Sequence, residues 1–235
     1  DVCSSDLKVE IAPNDRIVST IPFNFLANEL GFENTLQFRG ALLVYFALAR
    51  NISIPGKSSF LYFSQEDVPF HRLSEQKKFC DIGWEENKTI LTAEVAFDES
   101  RLGDLSTGAI IEKSTQALVN FGLCNRDEII DITTQILPQV YPILTKNNDS
   151  EFKNLYAKVR DFPQLYCIGT SGEFHYADLQ ILYQKGRDLA QRIQSEGSVN
   201  SRASEYPNLE QRDHFFSYFD DSRPFVIAEI GRAHV

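Results

Sequence analysis

The stretch IGTSGEFHYADLQ, residues 168–180, places two glycines, two aromatic residues and an aspartate between an apolar run and a helical pattern. The run LYC precedes it, and ILYQKGRDLAQRI follows it. A strand, a glycine, a loop and a helix in this order present backbone N–H groups at the helix start, where the positive helix end favours an anion. Gly169 and Gly172 permit close approach of the backbone, and Asp178 can cap the helix. A ligand-binding loop and an ordinary capped turn both fit this pattern.

Strand patterns dominate the first hundred residues. Residues 17–20 predict a short strand that breaks at Pro22 and leads into a helix. LQFRGALLVYFALAR is too evenly apolar for a surface helix, and it predicts a buried strand. SSFLYFSQED and TILTAEVAFD predict two more strands, separated by turn residues at 55–56 and 81–87. Together these runs predict an antiparallel sheet.

Helical periodicity appears after residue 104. LSTGAIIEKSTQALVNFG predicts a helix that Gly122 can end. EIIDITTQILPQVYPIL returns to alternation, and we expect Pro138 and Pro142 to end that strand. SEFKNLYAKVRDFP predicts a helix that Ser150 can cap. For the last helix, the spacing predicts a buried stripe made of Leu179, Leu182, Leu189 and Ile193.

The composition is that of a globular protein. The 235 residues are 43% hydrophobic and 12% aromatic, with a formal net charge of -10. An acidic chain without a Lys/Arg stripe disfavours nucleic acids and anionic membranes, and no apolar run is long enough to span a bilayer. Cys80, Cys124 and Cys167 are scattered without a CxxC motif, which argues against disulfides and against a metal site. We therefore expect a reducing compartment, the cytoplasm.

The two ends of the chain have a different expected origin. DVCSSDL (residues 1–7) and IGRAHV (residues 230–235) can be encoded by reverse-complementary DNA that resembles a sequencing adapter. We therefore expect translated adapter at both ends of an incomplete reading frame, with residues 8–229 as the natural part, and we exclude both ends from fold reasoning. The chain contains no methionine, as expected of an internal fragment.

The loop also carries a family resemblance. FPQLYCIGTSGEFHYADLQ (residues 162–180) resembles the C-terminal flavin-contacting segment of the FAD-dependent amine oxidoreductase family. Its branch of protoporphyrinogen-oxidase-like and UDP-galactopyranose-mutase-like proteins reads Phe-Pro-Asn-Leu-Tyr, then Gly-Arg-Asn-Gly, an aromatic, Arg-Tyr and Asn/Asp-Met. RIVSTIPFNFL, VPFHRLSEQKKF and QVYPIL agree with the branch in order. The matching positions in the loop are Phe162, Pro163, Leu165, Tyr166, Gly169, Gly172, Phe174, Tyr176 and Asp178.

The resemblance implies an α/β fold, α+β within this fragment. It would be part of a Rossmann-type FAD-binding domain with an inserted antiparallel-sheet-plus-helix substrate domain. Residues 8–34 and 146–193 would belong to the FAD-binding domain, and residues 35–145 mainly to the substrate domain. No glycines in the chain form the dinucleotide fingerprint GxGxxG. We therefore expect one half of an FAD site, which alone binds flavin poorly and is inactive.

The resemblance also implies site residues. Backbone N–H groups of Asp178, Leu179 and Gln180 would face the flavin, and a substrate would meet His71, Arg72 and Tyr141. The other residues expected to contact FAD are Thr20, Ile21, Pro22, Gly169, Thr170, Gly172 and Tyr176. No catalytic residue and no metal ligand follows from the resemblance.

Departures from the branch narrow the chemistry. Mutase-like members have an arginine where this chain has Thr170, and they favour tyrosine at Phe174. The wider branch has an arginine at His175. Loss of a charged partner lowers phosphate affinity, so the resemblance favours an FAD-dependent oxidoreductase acting on a small organic substrate. Two alternatives stay open: a UDP-galactopyranose-mutase-like sugar-nucleotide isomerase, and a non-catalytic flavoprotein-like module.

A second domain is expected downstream. Residues 194–222 are polar and rich in Ser, Glu and Asn, which predicts a linker. Residues 223–229 then begin an apolar run, RPFVIAE. This run resembles the first strand of sialic-acid-synthase-type barrel enzymes, which implies a fused domain of that kind.

Overall fold

The computed structural model describes residues 10–80, 83–98 and 106–196. The expectations for residues 1–7, 223–229 and 230–235, and for most of the linker, lie outside these residues. Seven strands occur in the described residues: β1 Ile17–Ser19, β2 Phe38–Leu48, β3 Phe60–Tyr62, β4 Arg72–Glu75, β5 Thr89–Asp98, β6 Ile129–Pro142 and β7 Leu165–Cys167. The described residues also contain five α-helices: α1 Phe23–Glu29, α2 Thr107–Asn120, α3 Lys146–Val159, α4 Gly169–Gly172 and α5 Leu179–Glu196.

The strands form two sheets. β1 and β7 make a parallel pair, and the other sheet has the order β3-β4-β5-β2-β6. In that sheet β4 runs antiparallel to both β3 and β5. The prediction of a mixed α/β fold with an antiparallel sheet is therefore confirmed. Each helix of the described residues is too short or too polar to cross a lipid bilayer.

The chain divides into two compact units. Among described residues the first comprises 10–41, 97–98 and 137–196, and the second comprises 42–80, 83–96 and 106–136. The core of the first unit is aromatic, with the Phe23 and Phe152 rings 4.8 Å apart in an edge-to-face contact. Burying each such side chain stabilises the fold by roughly 1.5–3 kcal/mol. The buried members of this cluster are Phe23, Ala27, Leu36, Phe38, Phe152, Leu155, Val159 and Phe174.

In the second unit, both faces of β5 are covered. Leu91, Ala93 and Val95 are buried on the face that alternation predicts. Thr92 and Glu94, which point to the opposite side of the strand, are buried as well. β5 is therefore not an amphipathic strand with one exposed face, because the polar side chains on its second face are buried as well.

Two local expectations are wrong. β6 runs through Pro138 and ends at Pro142, so the expected end at Pro142 is confirmed and the expected end at Pro138 is wrong. Pro138 is tolerated because β6 is an edge strand of its sheet in the described residues, where a missing N–H costs little. α3 begins four residues before Ser150, and the Thr145 hydroxyl caps it by accepting the Asn148 N–H at 3.1 Å. Ser150 instead donates to the Lys146 carbonyl within the helix.

Candidate functional site

The carboxyl ends of β1 and β7 lie side by side because the strands are parallel. Ser19 pairs with Cys167, and the Ile168 N–H donates to the Ser19 carbonyl at 3.0 Å. Thr20 to Pro22 follow one strand, and Gly169 to Gly172 follow the other. Ligands of open α/β sheets bind outside the carboxyl ends of parallel strands. The structure thus brings together two segments that the sequence nominated separately.

Gly172 lies close to the backbone that follows β1. A Cβ at this position would lie 3.1 Å from the Ser19 carbonyl oxygen and 3.5 Å from the Thr20 Cα. Both neighbours are backbone atoms, which cannot turn aside as a flexible side chain can. A larger residue at this position would require the backbone of the β1 segment to shift by a few tenths of an ångström, so glycine suits the close approach of the two segments.

Gly169 has a different role. Its φ of +91° lies in the region that favours glycine, and a Cβ would meet nothing within 4 Å. The backbone at Gly169 is therefore open on that side. Thr170 follows as a half-buried residue of α4.

Glu173 stabilises this turn by hydrogen bonds to Gly169. The sequence analysis did not predict this role. The Gly169 N–H donates to Glu173 Oε2 at 3.1 Å, while the Glu173 N–H donates to the Gly169 carbonyl at 2.8 Å. Lys185 on α5 donates to Glu173 Oε1 at 2.9 Å. The two side chains are 12% and 22% exposed, so this pair is shielded from most solvent. A carboxylate four residues after a glycine is the only sequence signal for it, and it is a weak one.

Cys167 is the last residue of β7, two residues before Gly169. Burial, and secondarily the negative charge of Glu173, raise the pKa of Cys167 to about 12. The thiol is therefore protonated at neutral pH and is a poor nucleophile. Cys167 acts here as a small apolar residue at the end of β7.

The loop ends at the start of α5, whose first residue is exposed to solvent. The Leu182 N–H donates to the Asp178 carbonyl at 3.0 Å, so Asp178 is the residue from which the helix begins. The first N–H groups of a helix, here those of Leu179 and Gln180, have no partner within it. Leu179 is 80% exposed, which contradicts its predicted place in a buried stripe. Exposure at the first turn leaves this end of α5 accessible to a ligand.

Two tyrosines flank the loop. The rings of Tyr141, near the end of β6, and Tyr176 lie with centroids 6.1 Å apart at an angle of 44°. Tyr176 is 44% exposed, and Tyr141 is half-buried. The pair forms an aromatic surface within the first unit.

The segment after β1 contains a polar residue that the sequence did not single out. Thr20 and Ile21 are exposed, and the Pro22 carbonyl accepts the Phe25 N–H at the start of α1. Asn24 lies in this first turn and is buried, yet its side-chain Oδ1 has no hydrogen-bond partner among the described residues. A buried acceptor without a donor is uncommon in folded proteins. The signal available in the sequence was an asparagine within the apolar run PFNFL.

His71 and Arg72 belong to the second unit, where their side chains converge on Glu94. His71 Nε2 lies 3.1 Å from Glu94 Oε1, and Arg72 Nε donates to Glu94 Oε2 at 3.1 Å, with a second contact from Arg72 Nη2. Burial raises the pKa of Glu94, but hydrogen bonds from His71 and Arg72 outweigh it and leave that pKa below its ordinary value. Glu94 is therefore ionised at neutral pH and orients both predicted substrate residues.

No protein-family model matches the sequence, and no curated protein matches it. Among solved structures, the fold is similar to the crystal structure of a reduced UDP-galactopyranose mutase, with a TM-score of 0.58 and 15% identity. The similarity covers 69% of this chain and 37% of that one. A protein from Exiguobacterium sp. 255-15 assigned as a protoporphyrinogen oxidase has a TM-score of 0.49 and 16% identity, covering 66% and 36% of the two chains. The chain thus spans less than two fifths of the mutase, and over that length the two share a fold.

Proposed function

We propose that the chain is part of an FAD-dependent oxidoreductase that acts on a small organic substrate. The observation that carries this proposal is the junction at Gly172, where the segments after two parallel strands meet backbone to backbone. Support comes from the family resemblance of residues 162–180. The fold shared with a mutase crystallised in a reduced state agrees with it.

The residues around the junction fit a flavin dinucleotide. Gly169 leaves its backbone open, and Asn24 has a buried acceptor that no donor of the described residues reaches. Hydroxyl and N–H groups of FAD are donors of the kind that this acceptor requires. The polar, open end of the parallel pair is thus suited to a ligand with several hydrogen-bonding groups. In this proposal FAD is held by Thr20, Ile21, Pro22, Gly169, Thr170, Gly172, Tyr176, Asp178, Leu179 and Gln180.

The bound FAD would supply the redox chemistry. The chain's own residues would bind and orient it. The first N–H groups of α5 have no partner within the helix, and the positive end of that helix would stabilise negative charge placed there. Tyr141 and Tyr176 offer an apolar surface that excludes water from one side of a planar ring.

His71 and Arg72 are proposed as substrate contacts. Glu94 holds both side chains and so fixes their orientation before a substrate arrives. A side chain that is already ordered loses less conformational entropy when it binds. Tyr141 stays a predicted substrate contact.

A sugar-nucleotide isomerase of the UDP-galactopyranose-mutase kind is the second candidate function. The fold similarity to such a mutase favours it. Thr170 weighs against it, because the mutase-like branch has an arginine at that position to meet a diphosphate. The third alternative, a non-catalytic flavoprotein-like module, predicts that no flavin binds.

The test uses the protein encoded by the complete reading frame around these residues. We expect it to purify with flavin, visible in its absorbance spectrum, and to show no saturable response to UDP-galactopyranose. Flavin together with isomerisation of UDP-galactopyranose and no net oxidation would support the second candidate. A complete protein without flavin, and without affinity for added FAD, would contradict both.

A further inference from the structure

The Glu173 carboxylate occupies a position that resembles that of a bound anion. Its two oxygens are held by separate donors: the Gly169 backbone N–H at 3.1 Å and the Lys185 ammonium at 2.9 Å. The carboxylate is 12% exposed. A backbone N–H and a lysine are the donors that proteins commonly direct at phosphate groups. In this loop the Glu173 side chain accepts hydrogen bonds from both of these donors.

The charges at this turn balance without a ligand. Lys185 neutralises Glu173, and Cys167 contributes no charge because its thiol stays protonated. Within the loop, Asp178 adds a further carboxylate, and His175 and Tyr176 are also titratable. A phosphate arriving at Gly169 would therefore have to displace a shielded carboxylate from both of its donors, and it would approach that negative charge as it did so.

We propose that Glu173 is a specificity-determining residue, which fills the anion position at the start of the loop so that the loop takes an uncharged part of its ligand and rejects a phosphate. This inference rests on the proposed function, which supplies the ligand. It implies that FAD and the substrate bind with none of their phosphate groups at Gly169. Thr170, which replaces an arginine of the mutase-like branch, acts in the same direction. Both residues lower the affinity of this loop for a sugar diphosphate.

The test is a titration of the full chain with inorganic pyrophosphate, followed through the amide resonances of Gly169 and Lys185. The wild type is expected to show no saturable shift at either amide. Glu173→Ala releases both donors, and we expect saturable binding at least about tenfold tighter than wild type, since a charge-assisted hydrogen bond contributes about 1.5–3 kcal/mol. Glu173→Gln keeps a hydrogen-bond acceptor but removes the charge, and a smaller gain is expected from it.

Two controls isolate the effect. Glu112→Ala makes the same change in net charge and releases Arg126, its exposed partner, so it should leave Gly169 unresponsive. Glu173→Ala combined with Lys185→Ala removes the second donor and should abolish most of the gain.

The inference is overturned if pyrophosphate shifts Gly169 in the wild type as tightly as in Glu173→Ala, or if folded Glu173→Ala gains nothing. Should Glu173→Ala fail to fold, the same comparison is made with Glu173→Gln, for which an unchanged affinity overturns the inference. These outcomes do not depend on flavin. A complete protein that lacks FAD would refute the proposed function and leave the pyrophosphate comparison as it stands.

Discussion

Phe174 shows how a single residue shapes the loop. It has a φ of 47°, a left-handed conformation that costs a non-glycine residue on the order of 1–3 kcal/mol. Its ring is fully buried, edge-to-face with Phe38 at 5.2 Å and stacked with Phe152 at 5.6 Å. Burial of the aromatic ring offsets this strain. Phe174 is therefore an anchor that ties the loop to the core, and its ring is not available to a ligand.

Substitution of Gly172 tests the close contact at the junction. Gly172→Ala places a Cβ 3.1 Å from the Ser19 carbonyl, so the backbone must shift, and we expect a loss of about 1–3 kcal/mol in the free energy of unfolding. Gly186→Ala is the matched control, because Gly186 lies inside α5 with nothing within 4 Å of the added Cβ. That change should raise stability by about 1 kcal/mol. Thermal and urea unfolding measure both, and equal effects would show that the junction is not tight.

Glu94 makes stability depend on pH in a defined direction. Its folded-state pKa lies below the ordinary value of 4.5, so its contribution is present above 4.5 and is lost as the pH falls through the folded-state pKa. Glu94→Gln should therefore lower stability at neutral pH by on the order of 1 kcal/mol and flatten the acid limb of the stability curve. Urea midpoints at a series of pH values test this. Asp98→Asn, which alters an exposed pair with Arg39, should leave the acid limb as steep as in wild type.

At the level of elements, periodicity predicted the strands better than the ends of the helices. β1, β2 and β5 follow from apolar and β-branched runs that extend over most of each strand. Pro138 could not be placed from the sequence, because its tolerance depends on β6 being an edge strand. α4 was missed because a four-residue turn made of Gly-Thr-Ser-Gly has no helical propensity of its own. It is held by Glu173 and Lys185, which local patterns do not connect.

The start of α3 distinguishes two candidate caps. Thr145→Ala removes the acceptor of the Asn148 N–H and should cost about 1 kcal/mol, within a range of about 0.5–2. Ser150→Ala lies inside the helix, where alanine is the better helix former, and it should be neutral or slightly stabilising. Urea unfolding of both variants decides between them. The opposite order of effects would mean that α3 begins at Ser150.

At the scale of the whole molecule, the sequence nominated the segments of the candidate site but did not show how they meet. Parallel pairing of β1 with β7 joins Thr20 to Gly172 across about 150 residues, a contact that no local pattern could predict. The sequence did not predict a role for Asn24, because its burial depends on the tertiary fold. It did not predict a role for Glu173, because its partner Lys185 lies on another element. The sequence predicted His71 and Arg72 as substrate contacts but did not predict that Glu94, on the neighbouring strand β5, would hold them.

The most direct test of the FAD proposal is hydrogen–deuterium exchange of the complete protein with and without FAD. If FAD binds outside the carboxyl ends of β1 and β7, exchange should slow together in two segments distant in sequence, residues 19–22 and residues 178–180. Residues 146–159 of α3, on the core side of the first unit, serve as the internal reference. Protection by FAD confined to other segments, or no change at saturating FAD, would contradict the account.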